Sequence, residues 1–307
     1  MRNDPRSIRI VIHGKAAGRM DVREAVKAAR ARGHRVEVSV TWEAGDAARL
    51  AELAVAAGQA IVVAGGGDGT VNEVATGLMR ASSSADCRPA IGILPLGTAN
   101  DLAHACGIPL DPAEALRLVT DGHPQPIDVG RVQDRVFVNV ATGGFGTQVT
   151  LETPPELKQH LGGAAYLLTG LSRFTSVRSL PASLHGPGFE WEGAFLVLAI
   201  GNGRQAGGGH VLCPNALVND GLLDVRILPE PKPGDLNRTL AAFLQEGLGA
   251  FERIVVKARL PWVEVASADS MNVNLDGEPI AGERLRFEIT PGALRMFVPE
   301  DSPLLRR

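Results

Sequence analysis

Apolar residues recur along this chain with two different periods, and the change from one to the other divides it. In the first 121 residues, short apolar runs alternate with amphipathic stretches. Ile8–Ile12 predicts a strand, and 21–32 a helix ending at Gly33. Residues 35–40 alternate in polarity, as a half-buried strand does, and 46–57 form a helical stretch ending at Gly58. Ile61, Val62 and Val63 read as a buried strand, followed by Val71, Val74 and Leu78 at helical spacing. Residues 91–104 repeat the order of apolar strand, tight loop and helix, and 113–119 add another helix. A β-α-β-α order of this kind predicts a parallel sheet with helices on both faces. After the proline-rich GHPQPID at 122–128 the pattern changes to short strands separated by turns: 129–132, 136–141 around an Asp134 turn, 194–200, 222–228, 263–266, 273–275, 285–289 and 294–298. These predict an antiparallel, β-rich second domain, interrupted by helical stretches near 156–172 and 235–247. The expected division is 1–126 for the α/β domain and 127–295 for the β-rich domain, with a cleft between them and 296–307 packing back on the first.

The richest local chemistry lies where the third apolar strand ends, in AGGGDGTVNEV. Gly65, Gly66, Gly67 and Gly69 allow a bulky anion to approach the backbone, and the helix start adds partial positive charge. Asp68 would repel a bare phosphate, so the loop points to a metal-bound nucleotide. Thr70 and Glu73 have capping-box spacing and, read blandly, serve only to start the helix. The stretch is neither a P-loop, which needs Gly-Lys-Ser/Thr, nor a G-x-G-x-x-G fingerprint. Gly97-Thr98-Ala99-Asn100-Asp101 echoes Gly69-Thr70-Val71-Asn72-Glu73, and Thr98 and Asp101 could again cap a helix. Two such loops would lie side by side at the carboxyl edge of a parallel sheet, where ligands bind in open α/β folds.

Three further stretches carry candidate chemistry. Asp220-Gly221 is a strong turn signal; its carboxylate, flanked by the carbonyls of Leu217 and Leu222, would suit a hard cation, and a plain turn explains it equally well. NVNLDGEP places Asp276 and Glu278 two residues apart at a strand end, a candidate proton-accepting or metal-holding pair or simply a β-turn. Residues 157–189 contain no Asp or Glu but include Lys158, Arg173 and Arg178. Their apolar positions, among them Tyr166, Leu167 and Phe174, fit a buried helix, or a surface helix that meets lipid.

Composition narrows the classes. The chain has 307 residues, 45% hydrophobic and 21% charged, as expected of a globular protein with two ordinary cores. A net charge of −3 gives no global reason to bind nucleic acid. Three widely spaced cysteines suit a reducing, cytoplasmic setting better than a disulfide scaffold or zinc site. The start resembles no signal peptide, and the longest apolar run, 194–200, is too short to span a membrane.

Together AGGGDGTVNEV, GILPLGTAND, GNGRQAGGGHVLCPNALVNDGLLDVRI and NLDGEPIAG resemble the diacylglycerol-kinase catalytic family, and most closely the bacterial YegS-type lipid kinases; the likeness runs nearly end to end. It implies ATP contacts from Thr41, from Gly67 to Glu73 (including Val71 and Asn72) and from Thr98. It implies magnesium, or calcium, held by Asp220 with the carbonyls of Leu217 and Leu222, and Glu278 as proton acceptor. The substrate it implies is a lipid with a free hydroxyl, of diacylglycerol or phosphatidylglycerol type, met by transient contact with the inner face of the membrane. His13 departs from the family pattern, which carries Asn after the first strand. A soluble-metabolite kinase related to NAD kinase, and a nucleotide- or lipid-binding sensor without turnover, remain as alternatives.

Overall fold

The computed structural model describes residues 5–81, 88–144, 179–230 and 253–306. The expected helices near 156–172 and 235–247, and Lys158, Tyr166, Leu167, Arg173, Phe174 and Arg178, lie outside the described residues.

The first domain alternates as its pattern predicts: β1 (Ser7–Ile12), α1 (Met20–Ala31), β2 (Arg35–Val40), α2 (Asp46–Ala56), β3 (Ile61–Gly66), α3 (Asp68–Ala81), β4 (Ala90–Pro95), α4 (Asp101–Cys106) and α5 (Pro112–Asp121). The four strands are parallel, in the order β4-β3-β1-β2. Residues on opposite sides of these strands feed two cores. Ile8, Ile10 and Ile12 pack with α1 and α5, whereas Val11, Val62 and Ile91 pack with α2, α3 and α4. The chain leaves β1 toward β2 on one side and returns to β3 on the other, so the crossover direction switches between β1 and β3. In open α/β sheets ligands bind at such a switch point, outside the carboxyl ends of the strands.

The second domain is antiparallel: β5 (Pro124–Val132), β6 (Arg135–Phe137), β7 (Val140–Gly144), β8 (Leu180–Gly186), β9 (Phe189–Gly201), β10 (Gln205–Ala206), β11 (His210–Val211), β12 (Leu223–Pro229), β13 (Val256–Leu260), β14 (Trp262–Leu275) and β15 (Glu278–Phe297). Side chains from nearly all of these strands converge on one sandwich-like core that includes Phe137, Phe195, Leu198, Val225, Val265, Leu275 and Phe287. Two departures from the expected strands have physical causes. The segments at 263–266 and 273–275 belong to one strand, β14, whose register shifts between Ala266 and Met271; 285–289 and most of 294–298 likewise belong to β15, which shifts at its Pro291-Gly292 bend. The strand expected over 136–141 is instead two, because the amides of Val138 and Asn139 turn to a side-chain carboxylate.

The two domains share hydrogen-bonded strands. Met296, near the end of β15, pairs in parallel with Ile91 of β4, and β5 pairs with β15. Met296, Val298 and Leu304 are buried in the α2/α3 core of the first domain.

Candidate active site

At the carboxyl edge of the parallel sheet, the loops after β3 and β4 touch through their glycines. A Cβ on Gly97 would lie 2.4 Å from the Cα of Gly67, and one on Gly67 would lie 3.2 Å from the Cα of Gly97. Gly67 has no positive φ; it is glycine because the second loop passes there. Helix α3 begins at Asp68, three residues before Val71, the first helical residue that a Thr70 cap implies, and its first intrahelical bond runs from Val71 N to Gly67 O (3.1 Å). Thr70 therefore lies within the helix, against Gly66, and no Thr70–Glu73 capping box forms. Glu73 Oε2 instead accepts from Ala47 N (3.1 Å) at the start of α2.

Asp68 does not stand as a charge facing the phosphate position. Its two oxygens accept from Asp101 N and Leu102 N (both 3.0 Å), the first amides of α4. Burial pushes its carboxyl up, while these amides pull it down. Its presence alone therefore calls for no metal. Nor do Thr98 and Asp101 cap their own helix: Asn100, in the left-handed region (φ 50), precedes α4, and Asp68 caps it from the neighbouring loop. Thr98 is exposed, and Thr41 is buried, its hydroxyl accepting from Gly14 N (3.2 Å). Val71 is in the core. The backbone from Gly65 to Thr70, with Gly69 open on its Cβ side, is what an anion could approach.

The second domain meets this edge with the β14–β15 hairpin. Leu275 pairs with Glu278 across a two-residue turn of Asp276 (φ 49) and Gly277 (φ 107), both left-handed as such tight hairpins require. Glu278 is exposed at the first position of β15. Asp276 is a hub, accepting from Val138 N (2.6 Å), Asn139 N (3.1 Å), Val140 N (2.9 Å) and Asn72 Nδ2 (3.0 Å). Asn72 also donates to Val136 O (3.0 Å), so α3, the helix of the phosphate-type loop, holds the hairpin that carries Glu278. Of the two carboxylates expected as a catalytic pair, Asp276 is committed to positioning. Burial pushes Asp276 up to about 6, with the amides and Asn72 working against it.

Residues singled out less sharply by the sequence complete the frame. Asp101 reaches across to the glycine loop between β10 and β11, accepting from Gly208 N (3.0 Å) and Gly209 N (2.6 Å). Gly207, Gly208 and Gly209 all have positive φ, and the successive N–H groups of Gly208 and Gly209 both reach the Asp101 carboxylate. Asp128, not foreseen, accepts from Gly221 N (2.7 Å) and Gly292 N (2.8 Å), joining β5 to the Asp220 turn and the β15 bend. Burial chiefly raises its carboxyl, and the Asp220 charge adds to this. The signal in each case was a glycine turn with amides in need of an acceptor.

Residues 8–132 match the family described as the diacylglycerol kinase catalytic domain, and 140–298 the YegS C-terminal NAD kinase beta sandwich-like domain. The chain belongs to the YegS-like diacylglycerol-kinase family. A relative from Pseudomonas aeruginosa, named "Probable lipid kinase YegS-like", is 55% identical over 303 residues, 99% of this chain and 98% of its own length. Another of that name from Pseudomonas fluorescens is 53% identical over 296 residues, covering 96% of both chains. A crystal structure of a diacylglycerol kinase from Bacillus anthracis str. Sterne shares the fold, with a TM-score of 0.77 at 24% identity over 96% of this chain and 97% of that one. The protein is thus an enzyme of a lipid kinase family, with an α/β catalytic domain and a β-rich antiparallel sandwich.

In this YegS-like kinase the carboxylate expected to hold a metal already has partners. Asp220, its side chain 2% exposed, pairs with the guanidinium of Arg259, and its other oxygen accepts from Leu222 N (3.0 Å). No group of three or more His, Cys, Asp or Glu among the described residues could hold a metal ion. As arranged, the Asp220 turn does not fit a resident divalent ion.

Asp276 gives a pH test of the hub. Its folded-state value of about 6 exceeds that of an unfolded aspartate, about 3.9, so its contribution is fully present below pH ~4 and is lost as pH rises through about 6. Wild type should lose roughly 1 kcal/mol relative to Asp276→Asn between pH 5 and pH 7.5 in urea unfolding. A relative gain over that range would mean that the amide donors outweigh burial.

Proposed function

We propose that this lipid kinase transfers the γ-phosphoryl group of ATP to a free hydroxyl of a membrane lipid of diacylglycerol or phosphatidylglycerol type. One observation carries the reading: α3 both begins at the glycine loop and, through Asn72 and Asp276, holds the hairpin bearing Glu278. The phosphates of ATP rest along Gly65 to Thr70, with Thr41 and Thr98 at the rim of this site. The lipid hydroxyl oxygen attacks the γ-phosphorus, ADP departs, and the hydroxyl proton passes to Glu278. Positioning and charge neutralisation dominate such a transfer. Magnesium carried with ATP neutralises phosphate charge when it is bound.

The test is labelled ATP incubated with a total lipid extract, followed by chromatography. Label should enter the organic phase as a phospholipid. Label confined to a water-soluble metabolite would favour a soluble-metabolite kinase, and binding without transfer would favour a sensor. Access to lipid from the cytoplasmic side by peripheral contact is part of the proposal; among the described residues no helix is long and apolar enough to cross a membrane.

For a divalent ion to be held by Asp220 with the carbonyls of Leu217 and Leu222, it would first have to displace Arg259. Magnesium or calcium should then raise the melting temperature of Arg259→Met more than that of wild type. Equal response in both would leave the turn an internal ion pair.

A further inference from the structure

Trp42 is 94% exposed, more than any other large apolar side chain described, yet its backbone N–H and those of its neighbours are hydrogen-bonded. Thr41 N donates to Ile12 O (2.9 Å), continuing the β1–β2 ladder. Trp42 N and Glu43 N donate to Asp46 Oδ2 (2.7 and 3.2 Å). Arg49, also bonded to Asp46 (2.7 Å), is the chief reason that carboxyl is lowered to about 2, with the two amides adding to it. The next residue, Ala47, donates to Glu73 of α3, so the corner holding Trp42 is braced against the helix that starts at the glycine loop. An indole left in water forgoes the gain that burial gives an aromatic of this size, so an occupant that covers it would be favoured.

Position says what the occupant is. Ile12 pairs with Gly65 on one side and Val40 on the other, so Gly65, Ile12 and Val40 form one row across the sheet. The loops that follow leave the same edge. Trp42 lies two strand spacings, about 10 Å, from the glycine loop. That is the reach of a nucleotide from its phosphates to its base, and Thr41 lies between. A lipid surface is a poorer occupant, since the exposed, acidic Glu43 adjoins Trp42 and would repel anionic headgroups, while Asp46, paired with Arg49, adds no net charge.

We propose that Trp42 is the platform on which the base of the nucleotide stacks, making it a residue that sets affinity for a purine nucleotide over bare polyphosphate. The inference rests on the ATP reading above. Its test is intrinsic fluorescence, because the chain has only three tryptophans. Trp262 lies beneath the Arg286 guanidinium, 3.9 Å from Cζ to ring centroid, and Trp191 packs on the second core. ATP should quench wild-type emission, and Trp42→Phe should bind ATP within about threefold of wild type while losing the quench. Trp42→Ala should weaken ATP binding, measured by calorimetry, roughly five- to hundred-fold, with tripolyphosphate binding and melting temperature unchanged. ATP binding unchanged in Trp42→Ala would overturn the inference and leave the ATP site standing. Failure of wild type to bind either ATP or tripolyphosphate would overturn both. Loss of vesicle binding in Trp42→Ala with ATP affinity intact would make Trp42 a lipid contact and refute the stacking role.

Discussion

Replacing Glu278 with Gln should lower turnover by roughly two to four orders of magnitude, because the amide keeps the side chain's size and removes its capacity to take a proton. ATP affinity should barely change, since Glu278 lies on the hairpin of the second domain and not on the glycine loops. Asp276→Asn should behave differently. Asp276 accepts three backbone amides and the Asn72 side chain, so its replacement should reduce stability as well as turnover, each buried donor left unpaired costing about 1–3 kcal/mol. Loss of turnover without loss of stability in Glu278→Gln, and loss of both in Asp276→Asn, would separate proton acceptor from positioning residue. A Glu278→Gln enzyme with most of its kcat would remove that residue from the chemistry.

Valine at position 97 should abolish measurable ATP binding and destabilise the fold. Its Cβ would stand 2.4 Å from the Cα of Gly67 and 2.9 Å from Asn100 Oδ1, so the two loops must part. Overpacking of this kind costs about 1–3 kcal/mol. Gly67→Val meets a looser contact of 3.2 Å and should be the milder of the two in stability while still disturbing the phosphate position. Gly69→Ala provides the contrast. Nothing lies within 4 Å of its added Cβ and its backbone is helical, so stability should hold or rise by up to about 1 kcal/mol. On the proposed ATP placement the open space on the Cβ side of Gly69 takes phosphate, so ATP binding should nevertheless fall. Unchanged ATP affinity in both Gly97→Val and Gly69→Ala would move the nucleotide elsewhere.

The parallel order of the first domain was legible because its strands and helices have clean periods and end at glycines such as Gly33 and Gly58. The Asp276-Gly277 turn was legible because left-handed backbone demands its residue types, and the two glycine loops because their glycines follow apolar strands, although Gly67 and Gly97 are required by the contact between the loops. Long strands were not. β14 and β15 run through register shifts, which interrupt the alternation of polarity and read as separate short strands. The capping boxes were misread because capping chemistry is local only by default. Asp68, Glu73 and Asp101 all cap or clamp segments distant in sequence, at α4, α2 and the Gly208-Gly209 loop. No spacing rule within one helix reveals such a partner. The neutralisation of Asp220 by Arg259 was hidden in the same way, by a separation of 39 residues.

The most direct test of the account is a crystal structure with a non-hydrolysable ATP analogue and a short-chain diacylglycerol. The account predicts phosphates against the backbone of Gly65 to Thr70, and a Glu278 carboxylate within about 2.6–3.2 Å of the lipid hydroxyl or one water away. A nucleotide bound away from the glycine loops, or a lipid hydroxyl seated beside the γ-phosphate with Glu278 out of reach, would contradict it.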